Sequence, residues 1–212
     1  MINEPQQTKR RYRSPLRDAA AAGTRERVLD AAVALLREIG DISGFTLEAV
    51  AKAAGVARLT VYNQFGSRLS LIEAMFDRIA DLGGLVALSD AMELRDPEEA
   101  IGEIVRIFCT FWGNDPAVQR LNDTIMLDPE IERSVAARHE RRRGLLTAII
   151  ERASPGAAAQ ARRDTVDLLF LLTAPQTFRA LLPGRALSQV CDLLRDAALD
   201  ALHRLKRSPP RA

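Results

Sequence analysis

Apolar residues recur at helical spacing along almost the whole chain, from Thr24 to Lys206. No run of alternating β-branched residues interrupts this pattern, and much of the apolar content is alanine and leucine, which favour helix. Hydrophobic residues make up 47% and charged residues 27% of the 212 positions, so the chain can bury a core and is not disordered overall. The sequence therefore predicts an all-α protein of about nine helices.

Capping residues, glycines and prolines divide this pattern into separate helices. Thr24 is expected to cap the first helix and Ser67 the fourth, because serine and threonine side chains accept a hydrogen bond from the first turn. Proline follows aspartate at three further helix starts, where its missing N–H costs nothing. The predicted helices are 24–39, 47–54, 57–64 and 67–82, three that begin at the Asp-Pro pairs 96–97, 115–116 and 128–129, one that runs from beyond Gly156 to about Leu182, and one at roughly 186–205.

Positive charge is concentrated at the N-terminus, although the whole chain carries a formal net charge of only +2. Five lysines and arginines precede residue 24 and are opposed only by Glu4 and Asp18, so this arm carries a charge of +3. A basic arm of this kind is suited to contact with a phosphate backbone. A solvated tail without a partner is equally consistent with the composition.

The chain has none of the sequence marks of a secreted or membrane-spanning protein. Its first 17 residues are polar and basic, and its longest strongly apolar stretch, 168–174, is far shorter than the ~20 residues that a bilayer requires. Cys109 and Cys191 lie far apart and form no CxxC pair, so we expect neither a disulfide framework nor a zinc site. These features predict a cytoplasmic protein in a reducing environment.

Residues 47–62 have the spacing of two short helices that cross closely. Ala51 provides the small side chain that such a crossing needs, and Gly55, four residues later, tolerates the positive φ that the turn needs. The apolar residues expected to fill the space between the two helices are Val50, Ala54, Val56 and Val61. The pattern predicts a helix-turn-helix.

The second helix of this pair sorts into two faces. Ala57, Val61 and Phe65 recur at i, i+4 and i+8 and are expected to point inward. The residues expected on the opposite side are Arg58, Leu59, Tyr62 and Asn63. An exposed face with arginine, tyrosine and asparagine suits base edges and phosphates in a major groove. An ordinary helical hairpin with a solvated face would show the same pattern.

The stretch 24–79 resembles the N-terminal DNA-binding domain of TetR-type transcriptional regulators. The motifs that carry the resemblance are the Ala31-Ala32 pair, Phe45-Thr46-Leu47, Ala53-Ala54-Gly55-Val56, Thr60-Val61-Tyr62-Asn63-Gln64-Phe65 and Ser67-Arg68, which together span about a quarter of the chain. The resemblance implies four segments: a basic arm at 1–23, a three-helix helix-turn-helix domain at 24–81, a helical effector-binding and dimerisation domain at 82–206, and a flexible tail at 207–212.

The resemblance also implies roles for individual residues. Those that match phosphate-contacting positions are Thr46, Thr60, Tyr62 and Arg68, and those that match variable base-reading positions are Arg58, Leu59 and Asn63. Ala57 stands where the family often has serine, so the recognition helix is expected to lack its usual cap, a deficit of ~0.5–2 kcal/mol. Asn63 and Gln64 stand where the family frequently has a basic residue followed by histidine. Asparagine or glutamine can pair with adenine, whereas arginine would favour guanine.

The remainder of the chain resembles the variable C-terminal domain of the family in helix layout only. The family architecture implies a homodimer in which the last two long helices of each subunit form a four-helix bundle. The stretch 168–182 agrees, because it is apolar on more sides than one subunit can cover, although it would also suit the central helix of the domain.

The large aromatic residues of the segment 82–206 are Phe108, Phe111, Trp112, Phe170 and Phe178. An apolar or aromatic effector is expected to bind between the middle helices, and plain core packing is the alternative for each residue. The candidates for effector contact are Phe108, Phe111, Trp112, Met126, Phe170, Thr173 and Gln176, of which Thr173 and Gln176 are the polar ones. The run of arginines at 141–143 is interpreted as a solvated face.

The chain shows no motif of an enzyme or a cofactor site. Walker, GxGxxG, GxSxG and HExxH motifs are absent, and His139 and His203 are too few and too far apart for a catalytic pair or a metal site. The sequence therefore predicts a DNA-binding transcriptional regulator, a ligand-responsive repressor that binds a palindromic operator as a homodimer, without cofactor or metal. The alternative is a helical adaptor or interaction protein without specific DNA binding.

Overall fold

The computed structural model describes residues 15–39, 44–125 and 129–207, and their side chains except those of 15–18, 123–125 and 129–134. These residues form eleven α-helices, one short 3-10 helix at Leu85–Ala87 and no strand, which confirms the predicted fold class with two more helices than expected. The helices are α1 (Pro15–Glu38), α2 (Leu47–Ala54), α3 (Arg58–Phe65), α4 (Arg68–Leu82), α5 (Leu88–Glu93), α6 (Pro97–Asn114), α7 (Pro116–Ile125), α8 (Pro129–Ala153), α9 (Ala159–Leu172), α10 (Pro175–Leu181) and α11 (Leu187–Arg207).

Helices α1 to α4 form a head around a shared apolar core. Helix α1 packs against α2, α3 and α4, and α2 packs against α3. The fully buried residues at the centre of the head are Val28, Ala32, Leu36, Val50, Val61, Leu71 and Met75. The same cluster continues into Phe111 of α6 and into Val118 and Leu121 of α7. The head therefore shares its core with the rest of the molecule.

Helices α6, α8, α9 and α11 form the centre of the larger body. Helix α6 packs along α11, while α9 packs against both α8 and α11. The largest fully buried side chains of this body are Ile101, Ile104, Leu146, Ile149, Ile150, Leu169 and Phe178. Three leucines of α9 and α11 remain exposed instead: Leu168 (43%), Leu171 (57%) and Leu193 (45%).

The first helix begins earlier than predicted. It starts at Pro15, and Thr24 lies inside it, where the Thr24 hydroxyl donates to the carbonyl of Ala20 at 2.9 Å. The prediction that Thr24 caps this helix was wrong, because the alanines at 19–22 extend helical structure upstream of the threonine. Residues 1–14 of the predicted arm and 208–212 of the predicted tail lie outside the described residues.

The helix expected to run to Leu182 is divided in two. Helix α9 ends at Leu172, and α10 begins at Pro175 after Ala174 in extended conformation (φ −82°, ψ 146°). The proline cannot donate to the carbonyl four residues earlier, and it disfavours helical backbone at the preceding residue. The short elements at 85–93 are a second departure, since no helix was predicted there.

Cys109 of α6 and Cys191 of α11, which are 82 positions apart in sequence, form a disulfide with Cα atoms 5.6 Å apart. The expectation that the two cysteines form no disulfide was therefore wrong. Their separation in sequence did not show that α6 and α11 pack side by side. None of the described helices combines the length and the apolar composition needed to cross a membrane.

Candidate functional site

The helix-turn-helix forms as its sequence predicts. The Thr46 hydroxyl caps α2 by accepting from the amide of Ala49 at 3.1 Å. Gly55 ends α2 with φ 64° and ψ 34°, a left-handed conformation that a residue with Cβ rarely adopts. The amide of Val56 then donates to the carbonyl of Ala51 at 3.0 Å and closes the turn. These contacts fix the angle at which α3 leaves α2.

Helix α3 has one buried and one exposed face. Val61 is fully buried and Phe65 is 7% exposed, so these residues dock the helix onto the head. On the other side Leu59 is 67% and Tyr62 56% exposed, and Arg58 and Asn63 are exposed as well. The predicted division into two faces is therefore correct for these positions.

The two ends of α3 are held differently. Ala57, which was expected to point inward, is exposed, because it precedes the helix in extended conformation and the helical period does not yet apply to it. It makes no side-chain cap, as predicted. At the other end Arg25 of α1 donates to the carbonyl of Gln64 at 2.6 Å and lies 4.2 Å from the ring centroid of Phe65. Sequence reasoning did not identify this anchor.

All seven residues predicted to contact DNA lie in the described structure. Four of them share the exposed face of α3, and Thr60 lies on the same helix, half-buried. Thr46 is exposed at the start of α2, and Arg68 is the first residue of α4, directly after the Ser67 cap. Contact of these residues with DNA remains a prediction.

A cavity of about 350 Å³ lies where α4, α6, α7 and α8 meet. Phe108, Phe111 and Trp112, which were predicted to contact an effector, line it together. The Phe111 and Trp112 rings meet edge to face with centroids 4.7 Å apart. Within the described parts of the chain, no group of three histidine, cysteine or acidic side chains is placed to hold a metal ion.

The other predicted effector contacts do not line this cavity. Phe170 packs beneath the guanidinium groups of α8, and Thr173 is buried with its hydroxyl donating to the carbonyl of Leu169 at 2.9 Å. Gln176 is exposed on α10, because the break after α9 removes it from the helix turn that it was expected to share with Thr173. Met126 lies outside the described residues.

Arginines of α8 occupy the cavity wall where a solvated face was expected. The wall includes Arg138, Arg141 and Arg142, and Arg142 is only 8% exposed. Burial, aided by the nearby charge of Arg143, lowers the pKa of Arg142 to about 10. The interpretation as a solvated face was thus wrong for Arg142, which lies on the helix stripe that also buries Leu146 and Ile149.

His139 also lines the cavity, beside these arginines. Its pKa is lowered, first by partial burial and then by the charge of Arg142, so its imidazole is neutral at neutral pH. Arg138 reaches across to α4, where it pairs with Asp77 and donates to the carbonyl of Glu73 at 3.1 Å. The cavity wall is therefore joined to the helix that follows the helix-turn-helix.

A helix-turn-helix head in front of a larger helical body defines a class of protein, the helix-turn-helix regulators. Residues 28–75, which cover most of this head, match the family described as bacterial regulatory proteins, tetR family. The head of this chain is therefore similar in sequence to the tetR family. That family consists of regulatory proteins, which agrees with the prediction that the chain is not an enzyme.

Similar proteins extend the likeness to the whole fold. The HTH-type transcriptional regulator AlkX of Mycobacterium tuberculosis is 46% identical over 69 residues, so the match spans about a third (32%) of both chains. A TetR-family transcriptional regulator of Mesorhizobium loti has a TM-score of 0.67 at 14% identity over 87% of this chain and 97% of its own. The multidrug binding protein EbrR, solved with ethidium, has a TM-score of 0.58 at 21% identity over 84% of this chain and 97% of its own.

Proposed function

We propose that the chain is a sequence-specific transcriptional regulator that binds a palindromic DNA operator as a homodimer and is released from it by a small ligand. The observation that carries the proposal is the exposed face of α3. Arg58, Tyr62 and Asn63 offer charge, a hydroxyl and an amide there, while Val61 and Phe65 fasten the opposite face. A rigid helix with polar groups on its free side suits readout of a major groove.

The exposed leucines of α9 and α11 support a homodimer. Leu168, Leu171 and Leu193 leave apolar surface on two helices that pack against each other. A second copy that brings the same two helices would cover this surface in an isologous contact. Such a dimer presents two α3 helices related by a two-fold axis, which is the symmetry of a palindromic operator.

Helix α4 supports ligand control, because it belongs to both regions. Its first turn, at Arg68, follows α3 directly, and its later turns place Phe76, Asp77, Ile79 and Ala80 in the cavity wall. A ligand that favours one position of α4 would change the spacing of the two α3 helices in a dimer. EbrR, which shares this fold, was solved with a small aromatic molecule bound.

Selection from a random duplex library tests the proposal. The wild-type chain is expected to enrich a pseudo-palindromic sequence and to retard that duplex in a gel at concentrations that leave a scrambled duplex free. Asn63→Ala is expected to weaken this retardation, whereas Glu151→Gln, an exposed change at the far end of α8, leaves it unchanged. Enrichment of no sequence would favour the alternative, a helical interaction protein without specific DNA binding.

A further inference from the structure

Arg142 of α8 carries a charge that the described part of the chain does not neutralise. The side chain is 8% exposed, and its Nε lies buried without a hydrogen-bond acceptor. One Nη donates to the carbonyl of Thr173 at 3.0 Å, but that oxygen is uncharged and also accepts from Nε1 of Trp112 at 3.0 Å. Arginine is almost never buried so deeply unless a counter-charge accompanies it, because burial removes the water that stabilises the ion.

Other arginines of the same helix differ from Arg142 in this respect. Arg138 pairs with Asp77 of α4, and Arg143 pairs with Asp167 of α9. No carboxylate of the described residues forms an ion pair with Arg142, whose guanidinium instead lies 4.1 Å from the ring centroid of Phe170. The lowered pKa of Arg142 agrees that its charge is poorly stabilised in this state.

The cavity beside Arg142 is apolar with an excess of positive charge. Among the residues that the structure describes, the charged ones in its lining are three arginines, at 138, 141 and 142, and one carboxylate, Asp77, which Arg138 already engages. The aromatic residues of the wall are Phe76, Phe108, Phe111 and Trp112. A volume of about 350 Å³ is at the small end of the range for ligand sites, so it suits a compact molecule.

We propose that this cavity takes an organic anion with an aromatic or apolar body, and that the carboxylate of this ligand pairs with Arg142. A carboxylate presents two oxygens that match the planar guanidinium fork and can accept from the unsatisfied Nε. The body of the ligand would pack against Trp112 and the phenylalanines. The inference rests on the proposed ligand-responsive function and adds to it the charge and the anchor of the ligand.

Three naphthalene probes of similar shape test which ligand charge the cavity of the wild-type chain prefers. Calorimetric titration is expected to show that 2-naphthoate binds at least about tenfold more tightly than the neutral 2-naphthalenemethanol, since a hydrogen bond to a charged group is stronger than one to a neutral group. The cationic 2-naphthylmethylammonium is expected to bind most weakly. Equal affinity for acid and alcohol, or no binding of naphthoate at millimolar concentration, overturns the proposal.

Two adjacent substitutions test the anchor. Arg142→Met is expected to remove the preference for naphthoate over the alcohol. Arg143→Met makes the same chemical change one residue further on, at a side chain that pairs with Asp167 and does not line the cavity, and is expected to keep the preference. Arg142→Lys retains the charge without the planar fork. Its preference for naphthoate over the alcohol is expected to lie between those of the wild type and Arg142→Met. A preference that survives in Arg142→Met contradicts the assignment.

These titrations contain no DNA, so they separate this inference from the proposed function. If the chain retards a selected duplex but binds the acid and the alcohol equally well, the proposed regulatory function stands and the anionic ligand is excluded. If the chain binds naphthoate through Arg142 but enriches no duplex, the anionic ligand stands and the proposed regulatory function is excluded. The wild-type comparison also needs no variant, so poor folding of Arg142→Met leaves the proposal testable.

Discussion

The exposed residues of α3 differ in what they can recognise. Asn63 carries an amide that can donate and accept at once, as the edge of an adenine requires, whereas the Tyr62 hydroxyl suits a phosphate oxygen. Both side chains are exposed and take no part in the core of the head. Substitution of either residue is therefore expected to change binding without changing the fold.

Asn63→Ala is predicted to cost ~1–3 kcal/mol of binding free energy at particular base pairs only, because a lost base contact matters where that base is present. Tyr62→Phe is predicted to weaken binding to all duplexes alike, because phosphates carry no sequence information. Retardation measured over a set of singly substituted operators checks both. A uniform loss for Asn63→Ala across the set would refute its base-reading role.

An ion pair between α1 and the residue before α7 makes the stability of the fold depend on pH. Asp115, which precedes α7, accepts from Arg37 of α1, with Nη2 and Oδ2 2.6 Å apart. This hydrogen bond, together with one from the amide of Ala117, holds the pKa of Asp115 below its ordinary value. A carboxylate with a depressed pKa stabilises the fold above its unfolded pKa and loses that contribution as pH falls through the folded value.

Asp115→Asn is accordingly predicted to lower the free energy of unfolding by about 1 kcal/mol at pH 7, a modest value because Arg37 is partly exposed. The asparagine oxygen can still accept from the Ala117 amide, but its NH2 group replaces the oxygen that accepts from Arg37, so the change removes the charge and that hydrogen bond. Urea unfolding of both proteins at pH 7 and at about pH 3 checks this, since the difference should close below the ordinary aspartate pKa of about 4. An equal difference at both pH values would exclude the ion pair as its cause.

Single residues of the DNA-binding face were more predictable than those of the cavity. Leu59 and Tyr62 are exposed and Val61 is buried as the helical period requires, because one short helix with a clear turn before it fixes the phase. Arg142 was wrongly assigned to a solvated face because its neighbours are also arginines. This local composition was given more weight than the helical period. Its spacing from Leu146, one turn later, indicates the buried stripe.

Helix boundaries that are marked by a capping residue or a glycine were predictable from the sequence. Helix α2 spans Leu47–Ala54 as predicted, and α4 begins after the Ser67 cap and ends at Leu82, directly before Gly83. The break between α9 and α10 was missed although Pro175 stands in the sequence, because the apolar residues on either side suggest one continuous helix. The pairing of Cys109 with Cys191 depends on tertiary packing, which local patterns do not reveal.

The end of α4 approaches α6 so closely that a single methyl group tests the contact. A Cβ at Gly83 would lie 2.4 Å from Cδ2 of Phe111 and 2.9 Å from the carbonyl oxygen of Ile79. Gly83→Ala must therefore move the Phe111 ring, which lines the cavity and contacts Trp112. We predict a loss of about 1–3 kcal/mol in unfolding free energy, together with a shift of Trp112 emission.

Gly144→Ala is the matched control for this substitution. Gly144 lies within α8, and nothing lies within 4 Å of the position of its added Cβ. Alanine is there expected to stabilise the protein by about 0.5–1 kcal/mol, because it restricts the unfolded chain more than glycine does. Chemical unfolding of the two variants in parallel checks the contrast. If both variants changed stability in the same direction, the close approach of α4 and α6 would not explain the result.

The proposed homodimer is formed through apolar side chains that a single chain leaves exposed. Leu171 of α9 is 57% exposed, whereas the adjacent Leu172 packs partly against the core of its own body. Leu171→Glu is predicted to convert the homodimer into a folded monomer, because a carboxylate in an apolar interface loses its hydration. Light scattering gives the mass and circular dichroism the helix content. Leu59→Glu is the control, because it places the same charge at a leucine exposed on α3 and should leave the dimer intact. If Leu171→Glu also remained a dimer, α9 would be excluded from the interface.

The last prediction concerns coupling between the cavity and the DNA-binding face. Helix α4 begins beside α3 and lines the cavity with its later turns, so both sites bias the position of one element. A ligand shifts that equilibrium only by its differential affinity for the two positions, typically ~1–3 kcal/mol, or about 5- to 150-fold. We therefore predict that 2-naphthoate lowers the affinity for the selected operator by a factor within this range. Linkage requires the operator to lower the affinity for 2-naphthoate by the same factor, which calorimetric titration with and without the duplex measures. If 2-naphthoate binds equally well in both titrations, the cavity holds the ligand but does not control release from DNA.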